Sequence, residues 1–376
     1  MLCLGLLCWP GSGAAQSAPG TWAVERLGSI EDPSGAFGLG SATVRFVAYG
    51  TGVGLVVPIE GNKRPGIFSV DGEARTKVGS IGEGPGEYLF INALGTHPDA
   101  TAWAYDPRQS RVSRFAPDGR FLASHRCAGS VCALLSDGRR AAVSQRPLGS
   151  LNLKDNAGGF TFSLGLFTDD GVEELRSVTV RSGQIQIPQA DGGVFVTMNP
   201  WGGQPQLSIS PGSESLAVLV PTGRIRGDHA ISEIWSLAAG DALRVTEILT
   251  PLRRITRGEV NDWVRDFMAT PRRARFAPGA VEDALDPPEY APGATDIVAM
   301  GRDQWWLQVD RSSSGQRWAL VNDRGQVEGE VDLPKDMDLL LANQDRLLVL
   351  ERDDFDLPRF TWLRVGPPGS GGGGGR

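Results

Sequence analysis

The feature that most constrains this chain is a unit of four short β-type runs recurring about every 40 residues. The clearest copy is residues 91–126, INALGTHPDATAWAYDPRQSRVSRFAPDGRFLASHR. Its runs are Ile91–Leu94, Ala102–Tyr105, Val112–Phe115 and Phe121–Ser124. Asp118-Gly119 stands between the third and the fourth, and that pair suits a tight turn between antiparallel strands. The copy before it turns at Asp71-Gly72 and the copy after it at Asp170-Gly171. The next two turn at Ala239-Gly240-Asp241 and Asp323-Arg324-Gly325. A sixth copy, DLLLAN, RLLVLER and RFTWLRV, lacks a fourth strand. One strand upstream of the first copy, residues 21–30, has no unit of its own.

A sandwich would not bring a turn back to the same place in every unit, and a β-helix has a shorter period. The pattern predicts an all-β chain, a six-bladed β-propeller over 21–366 closed by the N-terminal strand. Residues 21–30 are expected to pair with 359–365, which removes a free sheet edge. With 50 glycines and 25 prolines among 376 residues, long helices are nearly excluded. One helix is predicted at about 256–270. Thr256 and Glu259 have capping-box spacing, and Val260, Trp263, Val264, Phe267 and Met268 follow at helical intervals. It lies in an insertion, 253–294, whose later part is Pro-rich. The insertion is expected to cross one face of the propeller, with the helix's apolar stripe packed on that face. Residues 367–376 read as a flexible Gly-rich tail.

The segment 79–88, GSIGEGPGEY, precedes a strand, and then Asp106, Arg111, Val112, Asp118, Gly119 and Arg120 follow in order. This resembles the blade connector and strand signature of bacterial six-bladed β-propeller proteins related to NHL repeats. The match spans about 60–126, and elsewhere only the strand spacing persists. Gly82, Gly84 and Gly86 are read as positive-φ positions and Pro85 as the bend. A phosphate loop is excluded, because no Lys-Ser/Thr follows and no helix begins there. Some propellers of this kind are enzymes. The resemblance implies that a lactonase-like relative would hold a divalent cation such as calcium in the central channel, through carboxylates and amides. The channel candidates here are Asn92, Asp296 and Asn343.

Composition narrows the partners. A net charge of -7 argues against nucleic acid and anionic membrane. The first residues, MLCLGLLCWPGSGAAQ, read as a signal peptide over 1–15, with Gly13 and Ala15 before the cleavage point. Cys8 follows Leu7, which is not small, so a lipid anchor is not expected. No later apolar run approaches the ~20 residues of a membrane span. The mature chain is expected to be periplasmic or extracellular, and monomeric. Cys127 and Cys132, in CAGSVC, are a possible disulfide there, the other reading being two small buried thiols.

Candidate chemistry is sparse. His97, His125 and His229 sit in turns, strand ends or loops and are read as solvated. Asp353, Asp354 and Asp356 read as a solvated turn, and Trp305-Trp306 as core. Arg253, Arg254, Arg257, Arg272 and Arg273 could bind an anion, although interleaved acids suggest surface ion pairs. The expected function is a non-catalytic binding propeller for a protein or small-molecule ligand, without a cofactor. The alternative is a divalent-cation-dependent, lactonase-like hydrolase with its site at the central channel.

Overall fold

The computed structural model describes residues 20–30, 47–68, 74–147, 159–181, 184–189, 193–269, 276, 278–285, 287–311, 315–352 and 358–367. The signal segment, the Asp71-Gly72 turn, Arg272, Arg273, Asp353–Asp356 and the tail from 368 lie outside the described residues.

The first strand is β1 (Ala23–Ile30). Blade 1 follows as β2 (Ala48–Gly50), β3 (Gly54–Ile59), β4 (Arg64–Phe68) and β5 (Ala74–Lys77). The connector carries a short parallel pair, β6 (Ser80–Ile81) and β7 (Glu87–Tyr88). Blade 2 is β8 (Ala93–Thr96), β9 (Ala102–Asp106), β10 (Arg111–Phe115) and β11 (Phe121–Arg126). Blade 3 is β12 (Val131–Leu134), β13 (Arg140–Pro147), β14 (Gly159–Thr168) and β15 (Gly171–Arg181). A hairpin, β16 (Gln184–Pro188) and β17 (Val194–Met198), then intervenes. Blade 4 is β18 (Gln206–Ile209), β19 (Ser215–Arg226), β20 (His229–Ala238) and β21 (Arg244–Pro251). Helices α1 (Arg257–Met268) and α2 (Pro278–Ala284) come next. Blade 5 is β22 (Asp296–Ala299), β23 (Gln304–Arg311), β24 (Gln316–Asn322) and β25 (Val327–Leu333). The last blade is β26 (Asp338–Asn343), β27 (Arg346–Arg352) and β28 (Pro358–Gly366), with β1 as its outer strand. The molecule is a six-bladed β-propeller.

Period-two alternation gives each blade two apolar faces, and each face is buried against a neighbour. Trp305 and Trp306 show it best. They are adjacent on β23 and so point oppositely. Trp305 packs into the core between blades 4 and 5, and Trp306 into the core between blades 5 and 6. Both are fully buried.

The ring closes as the sequence predicts. β1 pairs antiparallel with β28 from Ala23 opposite Gly366 to Ile30 opposite Phe360. Only Ile30 of β1 is buried, so this strand is held mainly by backbone pairing and side-chain ties. The chief tie is a two-pronged ion pair. Arg26 Nη1 and Nη2 donate to the two carboxylate oxygens of Glu351, at 2.7 and 2.8 Å. The Thr361 hydroxyl donates to the same carboxylate at 2.7 Å.

The glycine-rich connector is a clasp. Asp106, fully buried, accepts the Leu89 and Phe90 N–H groups on one oxygen and those of Arg108 and Gln109 on the other. Arg111 donates to the carbonyls of Glu83, Gly84 and Glu87. Gly79 and Gly86 take the left-handed φ values of 61° and 75°. Gly84 has no positive φ, contrary to expectation. There a Cβ would come within 3.0 Å of the Glu87 carboxylate, which accepts the Gly84 N–H.

Burial opposes ionisation of Glu351, but hydrogen bonds from Arg26 and Thr361 outweigh it and hold the carboxyl below the usual glutamate range. A carboxyl depressed on folding stabilises the fold above its unfolded pKa, and that contribution is lost as pH falls through the folded value. With Arg26 half exposed, Glu351→Gln should cost about 1–2 kcal/mol at neutral pH. The deficit should shrink as pH falls below the ordinary glutamate value of about 4.3 and vanish once pH passes the lower value of the folded carboxyl. Urea unfolding of both proteins at neutral and acid pH measures this, and a pH-independent deficit would exclude the ion pair as its source.

Candidate functional site

In each blade the first strand lines the central channel. These strands run in one direction, so their starts gather at one end and their finishes at the other. The starts are Val47, Asn92, Ser130, Gln206, Asp296 and Asp338 or their immediate followers, and all six line one large cavity. This is the mouth.

The other end is plugged. A single helical turn, Pro211–Ser213, follows β18 and reaches across the channel to β2, β8 and β26. Gly212 N–H donates to the Thr96 hydroxyl, and Thr96 in turn donates to the Tyr49 carbonyl. The Ser213 hydroxyl accepts the buried indole N–H of Trp103 at 2.9 Å, and its carbonyl accepts from Ser136 N–H. Ser213 is fully buried at φ 51°, a conformation a serine adopts only when its surroundings fix it. The channel is therefore a blind pit opening at the mouth.

The mouth is roofed. Every connector between blades ends at the start of the next inner strand, so an insertion there lies above the channel. The β16–β17 hairpin occupies the connector into blade 4, and α1 and α2 occupy the connector into blade 5. The two insertions share a core: Ile185, Ile187, Trp201, Val264, Phe267, Phe276, Val281 and Leu285. The capping box at Thr256 and Glu259 is formed. The apolar stripe of α1 thus packs on the hairpin and α2, and not on the propeller face as the sequence reading had it. The reason is that the hairpin supplies a nearer apolar partner. What α1 turns to the mouth is Thr256, Glu259, Asp262, Trp263 and Asp266.

Between roof and ring lies a cavity of about 1200 Å³. Its lining mixes aromatic rings (Phe162, Trp201, Trp263, Trp318) with amides (Gln145, Asn199, Gln204) and carboxylates. Trp201 and Trp263 lie 6.4 Å apart between ring centroids. Arg253 ties roof to ring, with Nη1 2.5 Å from Glu259 of α1 and Nε 3.3 Å from Asp310 of β23. Burial disfavours the Glu259 anion, but the Thr256 N–H and Arg253 prevail and hold its carboxyl below the usual range. Deeper in, Gln308 donates to Gln316, and Gln316 accepts from Trp318 Nε1 as well, a satisfied buried network.

The cation candidates do not come together. Asn92 and Asp296 are at the mouth, where Asn92 Nδ2 donates to the Ser130 carbonyl and Asp296 accepts its neighbour's N–H. Asn343 ends β26 and so lies at the opposite end of its strand. Among the described residues, no three His, Cys, Asp or Glu side chains are grouped as metal ligands.

The arginines have separate partners. Arg253 pairs as above, and Arg254 with Glu289 at 2.6 Å. Arg254 and Arg257 line a shallower groove of about 490 Å³ together with Glu282 and Glu289. Cys127, on the connector that brings Ser130 to the mouth, and Cys132, on β12, are joined as a disulfide with Cα atoms 6.3 Å apart, both fully buried.

His97 is buried, not solvated. Its Nε2 lies 3.1 Å from the Leu134 carbonyl, and burial pushes its pKa below the ordinary value. His229 opens β20 and lies 2.6 Å from Asp228. None of the three histidines lines the cavity. Sequence reasoning missed the hairpin and the plug. The alternation in QIQIP and VFVTM could have signalled the hairpin, whereas nothing about Pro211-Gly212-Ser213 marks a plug.

Solved structures with this architecture share little sequence. They include a candidate exported protein from Bacteroides fragilis, at 12% identity over 91% of this chain and 95% of that one, with a TM-score of 0.47. Virginiamycin B lyase from Staphylococcus aureus is 10% identical over 91% of this chain and 99% of that one, with a TM-score of 0.39. A Bacteroides caccae protein of unknown function is 8% identical over 78% and 82%, with a TM-score of 0.35. No family model and no curated protein matches the chain.

Ser213→Ala should destabilise by about 1–3 kcal/mol, because the Trp103 N–H loses its buried partner. Ser213→Gly loses the same hydroxyl but relieves the left-handed φ, so it should cost about 1 kcal/mol less. Chemical denaturation of the pair tests this. Equal losses would mean that the plug's backbone carries no strain.

Proposed function

We propose that the chain is an exported, non-catalytic binding protein that takes a small organic ligand into the capped cavity at the channel mouth. The cavity itself carries this reading. It lies beneath a roof with its own hydrophobic core, is slightly larger than common small-molecule pockets of ~300–1,000 Å³, and mixes apolar walls with fixed polar groups. Insertions displayed on a rigid frame are where such folds place recognition. Export is supported by the signal-like start and by the Cys127–Cys132 disulfide.

The hydrolase reading has less support. Glu259 and Asp310 are engaged by Arg253, and Asp338 lies 4.0 Å from Arg311. Asn343 is remote from Asn92 and Asp296.

A thermal-shift screen of small metabolites on the mature protein tests the binding reading, with calcium as a separate arm. A ligand at 100 times its Kd adds about 2.7 kcal/mol of stability. Trp263→Ala should abolish the shift and open the roof to trypsin at Arg257 and Arg265, while the ring keeps its own transition. Stabilisation by calcium alone, lost in Asp296→Asn, would instead establish the cation-dependent reading. A ligand shift unchanged by Trp263→Ala would remove the cavity from consideration.

A further inference from the structure

We infer that the ligand of this cavity is a cation: an amine-bearing molecule with an apolar or aromatic body. The inference rests on the binding reading above and names the ligand's chemistry. It starts from the two faces of α1. Val260, Val264, Phe267 and Met268 face the core of the roof. Glu259, Asp262 and Asp266, spaced at three and four residues, form the other face with Trp263 and line the cavity. Beyond them, on blades 5 and 6, the ring contributes Asp296, Asp310 and Asp338. Two separately placed walls of the same sign therefore border one cavity that stays open to solvent.

Six carboxylates and two guanidiniums, Arg253 and Arg311, are in the described lining. Both guanidiniums already have lining partners: Arg253 has Glu259 and Asp310, and Arg311 has Asp338. Arg265, which is not in the lining, pairs with Asp262 at 2.7 Å and with Asp266 at 3.3 Å, so six carboxylates stand against three guanidiniums. An anionic ligand would have to displace a carboxylate to reach a guanidinium. A cation enters a field of the right sign, screened by water and salt because most of these carboxylates are half-exposed or more. The aromatic pair selects the body of the ligand. Trp201 and Trp263 both border the cavity while packing into the roof core, Trp263 stacked on Phe267 at 4.9 Å, and the aromatic surface they leave to the cavity suits an apolar group beside an ammonium. A bare metal ion would use neither ring, and a neutral sugar would not use the excess of carboxylate.

The test uses three probes with one phenyl body and different head groups: phenethylamine, phenethyl alcohol and hydrocinnamate. Calorimetric titration of the mature protein at low and at physiological salt should rank them amine, alcohol, acid. The amine should lead the alcohol by roughly tenfold at low salt and by less at higher salt. In an Asp262→Asn, Asp266→Asn double variant that lead should collapse, with alcohol binding unchanged. Both positions are solvent-facing on α1, so the fold should survive, and circular dichroism verifies it. Alcohol or acid binding as tightly as the amine overturns the cationic class but leaves the cavity as a binding site. An amine lead that persists in the double variant places the attraction elsewhere on an acidic protein and overturns the assignment. Failure of all three probes to bind overturns both the class and the cavity reading.

Discussion

Closure of the ring is the constraint on which everything else depends. Among the described residues, the blades' apolar faces are buried between neighbours, as in the cluster joining Leu55 and Phe68 of blade 1 to Leu348 and Phe360 of blade 6. That cluster exists only if the last blade is brought round to the first. The last blade is built from both ends of the described chain, with β1 outside β28. Since β1 buries almost nothing, a ladder of backbone hydrogen bonds and the Arg26–Glu351 pair hold the seam shut. A closed ring also has no inward-facing strand free to move, and this fixes the side chains at the channel mouth.

The motif that carries the family resemblance proves to be part of this frame. Asp106, Gln109 and Arg111 bind the backbone of residues 82–90 and tie the blade 1 to blade 2 connector down. Other joints solve the same problem differently. Arg139 donates to the carbonyls of Ala238 and Asp241, bracing blade 3 to blade 4. The Ser215 hydroxyl donates to Gly301 across blades 4 and 5. A signature that satisfies buried backbone groups speaks of architecture, and it says nothing of what the mouth binds.

What the sequence made legible follows the same division. Strand positions and hairpin turns could be read because alternation and Asp-Gly chemistry are local. The helix could be read because Thr256, Glu259 and the apolar positions after them fall within four turns. The direction of the channel strands was also legible. Asn92 and Asp296 stand at strand starts and Asn343 at a strand finish, so they could never have met. The burial of His97 and the plug at Ser213 were not legible. Each depends on contacts with residues far away in sequence, Leu134 for one and Trp103 for the other.

The roof marks the boundary between these two kinds of information. A helix with one apolar stripe is usually read as packing on the nearest large surface, here the propeller face. That reading fails because the connector into blade 4 carries a second insertion of similar reach. Two neighbouring connectors deliver their insertions to adjacent points of the same face. There, burying Val264 and Phe267 against Ile185 and Ile187 hides apolar area on both partners at once. With that stripe turned to the roof core, the opposite face of α1 looks down on the channel. Glu259, Asp262 and Asp266 on that face could be taken from sequence as solvent-facing charge. Once the stripe is committed to the roof core, the same three carboxylates line the cavity. The character of the site is therefore set by which surface the apolar stripe chooses. Topology makes that choice by placing the hairpin in the adjacent connector.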